Sequence, residues 1–205
     1  MNQTATEIPP ISSTASSFDT ISDTLSPPTE VRDGEHRHTN FEILDAATKE
    51  QAIVFSKPED VEGVVCEDVT IEDITPEHIE LTKRMLKLLA QINGLGLAAP
   101  QIGIKKKFFV YWDTRTNTPH CCYNAKYYGD RSTVTWGERC LTYGQLMFAI
   151  KRYKSIQAVW YEYDPDKHEL VKKTKKLNRL EAEVFQHETD HLYGETLATK
   201  GILIG

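Results

Sequence analysis

Two histidines and a glutamate occur at a spacing that suits a catalytic metal ion. They lie in the run Gln186-His187-Glu188-Thr189-Asp190-His191-Leu192, which contains the pattern H-E-x-x-H. Four residues make about one helical turn, so a helix here places both imidazoles on one face, where they can hold a single ion. Glu188 then lies beside that ion and can take a proton from water. The motif predicts a metal-dependent hydrolytic site; the alternative is an exposed helix that carries two histidines and several acids by chance.

A catalytic ion of this kind needs a third protein ligand and one open coordination position. Cys140 is the best candidate, because it lies just after a strand predicted for residues 132–136 and a thiolate is a strong metal ligand. Glu195 would supply the ligand in the other common arrangement, but it is too close to the helix end for good geometry. The other cysteines have no metal-ligand spacing around them and are predicted to be reduced, packed thiols; they are Cys66, Cys121 and Cys122.

Two apolar residues share the predicted ligand face of this helix. Leu180 and Val184 precede His187 by seven and three residues, which are helical spacings. They are therefore candidates for an apolar pocket beside the ion. Ordinary core packing is the competing interpretation.

Two helices follow from the capping residues and the periodicity. Thr75-Pro76-Glu77 combines a hydroxyl cap with proline in the first turn, and apolar residues recur at helical spacing from there to Ile92. Gly94 is predicted to end this helix. The second helix, over residues 178–193, carries the histidine motif and is closed by Gly194.

Strands are predicted between the two helices. Residues 108–112 are continuously apolar, which indicates a buried strand, and residues 155–163 and 169–177 flank a turn as a hairpin. The order of helix, strands and helix favours an α+β fold with an antiparallel sheet over alternating βαβ units.

Composition narrows the class of protein. The chain has 205 residues and a net charge of -6, which argues against direct binding to a phosphate backbone. No apolar run is long enough to span a bilayer, and the amino end lacks a signal core, so we predict a cytoplasmic protein that does not bind membranes.

Residues 1–38 are rich in Ser, Thr and Pro and are predicted to be a disordered tail, in which His36 and His38 are solvated. Residues 39–205 are predicted to form one catalytic domain.

A third motif gives the chain a resemblance to a known family. This motif is the run Gly94-Leu95-Gly96-Leu97-Ala98-Ala99-Pro100-Gln101, whose closely spaced glycines are also found in phosphate-binding loops. A dinucleotide-binding loop follows a strand, whereas this run follows a predicted helix, so a dinucleotide site is not expected here. Together with residues 137–142, Gly-Glu-Arg-Cys-Leu-Thr, and with residues 186–194, it resembles the three signature motifs of peptide deformylases. The similarity covers roughly residue 41 to the end. The middle motif departs from the family pattern, because Arg139 stands at its glycine and Thr142 at its serine.

The resemblance implies a metal-dependent hydrolase that removes the formyl group from the amino-terminal formyl-methionine of newly made polypeptides. It also implies antiparallel sheets packed around a central metal-binding helix that carries the H-E-x-x-H motif. The roles that it implies are Cys140, His187 and His191 as metal ligands and Glu188 as base, with the Gln101 amide and the Leu141 backbone N–H as donors to the formyl oxygen. Ferrous iron is the metal that the family usually employs, and zinc, nickel or cobalt can substitute.

The resemblance further implies how the substrate binds. The peptide lies extended against the backbone of Leu95 and Gly96, and the methionine side chain enters the pocket for which Leu180, Val184 and Trp136 are candidates. The partners are then N-formyl-Met peptides and nascent chains. Ribosome association would be weak, because only residues 195–205 follow the last motif, whereas many bacterial relatives continue through a docking helix.

Two other functions remain open on the sequence alone. A metallopeptidase of the H-E-x-x-H type would explain the helix, but neither residues 94–101 nor the Cys140 segment. A deformylase-like protein that binds peptides without turnover is suggested by Arg139 and the short carboxyl end. The presence of both Glu188 and Gln101 argues against it, because binding alone requires neither.

Overall fold

The computed structural model describes residues 53–205. The helices are α1 (Pro58–Val61), α2 (Pro76–Ile92), α3 (Arg179–Leu192) and α4 (Leu197–Lys200), with short 3-10 turns at Ile71–Asp73, Ala99–Ile102 and Leu141–Tyr143. The strands are β1 (Gly96–Ala98), β2 (Phe108–Asp113), β3 (Thr118–Gly129), β4 (Thr133–Arg139), β5 (Met147–Tyr153), β6 (Ser155–Asp164), β7 (Glu169–Asn178) and β8 (Ile202–Leu203). The predicted tail over residues 1–38, with His36 and His38, lies outside the described residues, as does the predicted start of the domain at residue 39.

All strand pairs within the two sheets are antiparallel. One sheet has five strands in the order β1-β2-β3-β6-β7, and the other has three in the order β4-β5-β8. The predicted hairpin is β6 and β7, paired from Ser155 with Asn178 to Asp164 with Glu169. Because the helices precede and follow the strands instead of alternating with them, the predicted α+β class is confirmed.

Helix α3 lies against strands of both sheets. Its Phe185 is fully buried and makes an edge-to-face contact with Phe109, at 5.2 Å between ring centroids, and a tilted contact with Trp160 at 5.6 Å. Burying a side chain of this size contributes about 1.5–3 kcal/mol. The aromatic core therefore fixes one face of the helix, and the face that carries the histidines is left to border the second sheet.

Helix α2 covers the opposite face of the five-stranded sheet and begins as predicted. Thr75 is its N-cap and accepts a hydrogen bond from the backbone N–H of His78 at 3.2 Å. The helix ends one residue earlier than the glycine signal suggests, because Asn93 adopts the left-handed conformation with φ 53°. Gly94 has a steric role instead, since a Cβ there would lie 2.8 Å from Cδ2 of Leu89.

Four strands were not predicted, namely β1, β3, β5 and β8, and β4 is longer than predicted. Strand β3 contains Pro119, and its register with β6 shifts between Tyr123 and Lys126, so its sequence does not alternate regularly. In strand β5 the charged side chain of Arg152 is buried. The alternating pattern by which a strand is predicted has an apolar residue at such a position. Strand β4 extends to Arg139, three residues beyond the predicted 132–136 strand. Within the described residues, no helix has the length and apolar character to cross a membrane.

Candidate metal centre and active site

Three potential metal ligands converge where strand β4 meets helix α3. Cys140 directly follows β4, and His187 and His191 lie one turn apart on α3. One ligand atom from each residue lies within 4.8 Å of the other two. Sγ of Cys140 is 3.3 Å from Nε2 of His191, and the two imidazole rings are 5.1 Å apart. The structure thus brings together the three residues that the sequence singles out as ligands.

The protonation of Cys140 and that of His187 depend on each other. Burial disfavours a charge on Cys140, but His187 and His191 outweigh it and hold the pKa of the thiol well below its usual range. Burial likewise lowers the pKa of His187, yet the Cys140 sulfur and Glu138 outweigh it and hold the pKa well above the usual range. The cysteine is therefore held as a thiolate, which is the form that binds metals.

The residues present fit a single divalent ion. A thiolate and two imidazoles are three protein ligands of the kinds used at catalytic sites that keep a fourth position open. Among the residues that the structure describes, two buried polar atoms at this site have no hydrogen-bond partner: Oε2 of Glu188 and Nδ1 of His191. Buried polar atoms are normally paired, so an unpaired carboxylate oxygen next to the three ligands indicates that a bound group belongs there.

A buried ion-pair network orients His187. Its Nδ1 donates a hydrogen bond to Oε2 of Glu138 at 2.9 Å, which leaves Nε2 for an ion. Arg152 donates to both oxygens of Glu138, at 2.7 and 2.9 Å, and also to Asp190. Burial raises the pKa of Glu138, but the bonds from Arg152 and His187 outweigh it and lower the pKa to about 2. Glu138 is therefore a carboxylate whenever the protein is folded near neutral pH.

Glu188 lies between helix α3 and the edge strand β1. The residue is 4% exposed, and burial raises its pKa to about 8. A Cβ on Gly96 would overlap this carboxyl, with Cγ of Glu188 only 2.6 Å away. Glycine is thus required at position 96 because the backbone of β1 passes directly over the glutamate.

The side chain of Gln101 is held in one orientation. Its Oε1 accepts a hydrogen bond from the backbone N–H of Ala98 at 2.8 Å. Its Nε2 points to Sγ of Cys140 at 3.3 Å and to Oγ1 of Thr142 at 3.2 Å. Leu141 begins the 3-10 turn that follows Cys140, so its backbone N–H belongs to the peptide bond directly after the cysteine. The structure thus places the amide of one candidate donor, Gln101, beside Cys140.

The candidate substrate residues lie at the edges of the two sheets and on helix α3. Strand β1, which follows Leu95, is one edge of the five-stranded sheet, and β4 is one edge of the three-stranded sheet. Trp136 on β4 is 40% exposed and Leu180 at the start of α3 is 41% exposed, so both are accessible. Val184 differs: it is 9% exposed and belongs to the core cluster around Phe185, so most of its surface serves packing.

Sequence reasoning did not identify all residues that shape the site. Arg152 was missed, because an isolated arginine in an unrecognised strand carries no signal of its own. Its position two residues after the buried Ile150, on the inward face of β5, is the pattern that could have identified it. Glu195 is not part of the cluster and pairs with Lys200 at 2.6 Å.

Fold and site together define a metal-dependent hydrolase of the α+β class, and comparison with known proteins gives its family. Residues 53–201 match the family model for polypeptide deformylase. The chain is 36% identical over 120 residues to the peptide deformylase of Thermotoga petrophila, covering 58% of this chain and 69% of the relative. It is 30% identical over 138 residues to that of Agathobacter rectalis, covering 67% of this chain and 82% of the relative.

Solved structures agree with these relatives. The crystal structure of the peptide deformylase from Thermotoga maritima superposes with a TM-score of 0.62 at 26% identity, covering 74% of this chain and 98% of that one. The Met-Ala-Ser-bound class I type b enzyme from Acinetobacter baumannii shares the fold, with a TM-score of 0.63 at 18% identity over 72% of this chain and 97% of that one. The chain belongs to the polypeptide deformylase family. Its activity is the metal-dependent removal of the N-formyl group from formyl-methionine at the amino end of polypeptides.

Replacing Arg152 with methionine tests the buried network. The variant leaves the Glu138 carboxylate buried without its cation, whereas Asp190 keeps Lys200 at 2.9 Å and Tyr127 at 3.0 Å. We expect Arg152→Met to lower the free energy of unfolding by roughly 3–5 kcal/mol, as breaking buried ion pairs does. Urea denaturation followed by circular dichroism measures the difference.

The matched control is Lys83→Met, which removes an exposed ion pair with Glu80 at 3.8 Å. It should lower stability by less than about 1 kcal/mol. Equal losses in the two variants would contradict the role assigned to Arg152.

Proposed function

We propose that Cys140, His187 and His191 hold one divalent ion and that Glu188 is the base of the deformylation reaction. The observation that carries this proposal is the buried, unpaired carboxylate oxygen of Glu188 next to the three clustered ligand atoms. Lewis acidity is the chemistry that a divalent ion supplies at such a site, toward both a water molecule and a carbonyl oxygen.

Glu188 moves the proton in this proposal. Its carboxylate takes a proton from water as the water oxygen bonds to the formyl carbon. The carbon–nitrogen bond then breaks, and Glu188 returns the proton to the leaving nitrogen, so that formate and a free amino terminus are the products. Burial raises the pKa of Glu188, so its carboxylate is a stronger base than an exposed one.

Two donors stabilise the charge that develops on the formyl oxygen. We assign these to Nε2 of Gln101 and to the backbone N–H of Leu141. Support comes from the Oε1 bond to Ala98, which orients the amide so that its NH₂ group faces Cys140. Donors held in place before the reaction need no reorganisation during it, and removing one typically costs on the order of a hundredfold in rate.

The peptide is proposed to bind as an added strand. Among residues 53–205 no strand pairs with the outer edge of β1. Gly96 at its start and the preceding Leu95 supply backbone groups for an extended substrate. The first side chain enters the space bordered by Trp136, Leu180 and Val184. The exposed fractions of Trp136 and Leu180 support this assignment better than the nearly buried Val184 does.

The identity of the ion and the wider context are also proposals. We propose Fe²⁺ as the physiological ion, with Zn²⁺, Ni²⁺ or Co²⁺ able to replace it, because imidazole and thiolate ligands accept all four. Nascent chains in the cytoplasm are the proposed substrates, with weak ribosome association. The net charge of -6 supports the absence of direct nucleic-acid binding. We retain residues 39–205 as the proposed catalytic domain, preceded by a tail over residues 1–38.

Formate release from formyl-Met-Ala-Ser tests the role of Glu188. Anaerobically purified, iron- or nickel-loaded protein should release formate, and Glu188→Gln should reduce kcat by roughly 10²–10⁴, the usual contribution of a positioned base. Metal content should be unchanged, because Glu188 is not a proposed ligand. A fully active Glu188→Gln enzyme would exclude this residue as the base.

Gly96→Ala tests the close approach of β1 to Glu188. The added methyl group overlaps the carboxyl, so it must displace Glu188 from its present position. We expect kcat/KM for the same peptide to fall by about a hundredfold or more, since small displacements of catalytic groups have effects of this order. Thermal unfolding and metal content, measured on the same preparation, should stay near wild type. Wild-type kinetics would show that the glutamate position is not critical.

A further inference from the structure

A tyrosine hydroxyl connects the turn that follows Cys140 to two distant segments of the chain. Tyr143 is the last residue of the 3-10 turn Leu141–Tyr143. Its hydroxyl donates a hydrogen bond to Oε1 of Glu62, and its oxygen lies 2.7 Å from Oγ1 of Thr196. The mechanism described above does not use this hydroxyl.

The first partner, Glu62, has a fixed position. It follows helix α1, and its backbone N–H donates to the carbonyl of Pro58 at 2.9 Å. The next residue, Gly63, donates its N–H to the carbonyl of Gly194 at 2.8 Å, just after the end of α3. A Cβ on Gly194 would lie 2.6 Å from the backbone nitrogen of Val64, so the two segments are in close contact. Glu62 is therefore held against the end of the helix that carries both histidines.

The second partner, Thr196, is also held in place. It is buried and is the N-cap of helix α4, where its Oγ1 accepts a hydrogen bond from the backbone N–H of Thr199 at 3.4 Å. The ring of Tyr143 packs against Phe148, at 5.3 Å between ring centroids. Both the ring and the hydroxyl of Tyr143 are therefore fixed by their surroundings.

The rest of the turn has little support from packing. The side chain of Leu141 is 40% exposed, and the three residues that follow the turn, 144–146, are exposed as well. Among residues 53–205, side-chain hydrogen bonds join the turn to the rest of the protein at Thr142 and Tyr143. Oγ1 of Thr142 accepts from Nε2 of Gln101 at 3.2 Å. The position of the turn thus depends on the Tyr143 hydroxyl and on a contact with a proposed donor.

Both proposed donors to the formyl oxygen depend on this turn. Leu141, its first residue, supplies the backbone N–H, and Thr142, its second, contacts the side-chain amide of Gln101. A shift of the turn relative to α3 would change the direction of the Leu141 N–H and the contact to Gln101. Small displacements of catalytic groups lower reaction rates strongly.

We infer that Tyr143 is a positioning residue for deformylation, which holds the Leu141–Tyr143 turn in place through its hydroxyl. The inference rests on the proposed roles of the Leu141 N–H and the Gln101 amide. Such donors act in the transition state, so disturbing them lowers kcat and leaves KM unchanged. A residue that served stability alone would change the folded fraction, and not the kcat of the folded, metal-loaded enzyme.

The test removes the hydroxyl and keeps the ring. With nickel-loaded Tyr143→Phe and formyl-Met-Ala-Ser, we expect kcat per bound ion to fall by about tenfold, less than the loss of a whole donor, with KM unchanged. Glu62→Leu removes the acceptor and should have the same effect. Glu62→Gln keeps an acceptor oxygen and should retain the wild-type kcat.

The matched control is Tyr163→Phe, which removes a hydroxyl that is 2.9 Å from Nδ1 of His168 in the β6–β7 hairpin. It should leave kcat unchanged. Values of kcat within about twofold of wild type in both Tyr143→Phe and Glu62→Leu would overturn the inference and leave deformylation itself intact. If Tyr143→Phe does not fold, Glu62→Leu compared with Glu62→Gln decides in the same way.

Failure of the proposed function has a different signature. A wild-type protein that releases no formate would refute the mechanism, and the hold on the turn is then tested by hydrogen exchange. The backbone N–H of Tyr143 donates to the carbonyl of Cys140 at 2.9 Å, and that of Leu146 donates to the carbonyl of Tyr143 at 3.3 Å. In Tyr143→Phe these two amides should exchange about tenfold faster or more, while those of α3 are unchanged. Equal exchange in wild type and Tyr143→Phe would overturn the inference.

Discussion

The contact between Arg152 and Glu138 is the interaction on which the site depends. Arg152 comes from strand β5, Glu138 from β4, and Asp190, which Arg152 also binds, from helix α3. These three buried side chains join the small sheet to the helix that carries both histidines. Because Glu138 also accepts the hydrogen bond of His187, the same ion pair sets the direction of a proposed metal ligand.

This buried ion-pair network positions helix α3 and adds little to the net stability of the fold. Buried ion pairs contribute little net stability relative to a well-packed apolar cluster, but losing one partner is strongly unfavourable. The apolar contacts of Phe185 with the five-stranded sheet hold the other face of α3, so the helix is fixed from two sides by different forces. Cys140, at the end of β4, can then meet two histidines whose rings have little freedom.

The chemistry of the site could be predicted from the sequence more completely than its surroundings. Short spacings within one helix predict which histidines share a face, and a helix motif that lacks a third ligand directs attention to Cys140. Strands β3 and β5, and with β5 the position of Arg152, could not be predicted in this way, because β3 contains a bulge and β5 buries a charge. Both features break the period-2 signal. The need for glycine at position 96 depends on the distance between β1 and Glu188, which only the three-dimensional structure shows.

The central claim is that one thiolate and two imidazoles hold a single ion, and X-ray absorption of zinc-loaded protein tests it most directly. The account predicts one ion per chain with one sulfur at about 2.3 Å and two nitrogens at about 2.0–2.1 Å. Cys140→Ser should remove the sulfur contribution, since the other cysteines, Cys66, Cys121 and Cys122, are buried away from the three ligands. A wild-type ion with no sulfur ligand, or a sulfur signal that persists in Cys140→Ser, would contradict the account.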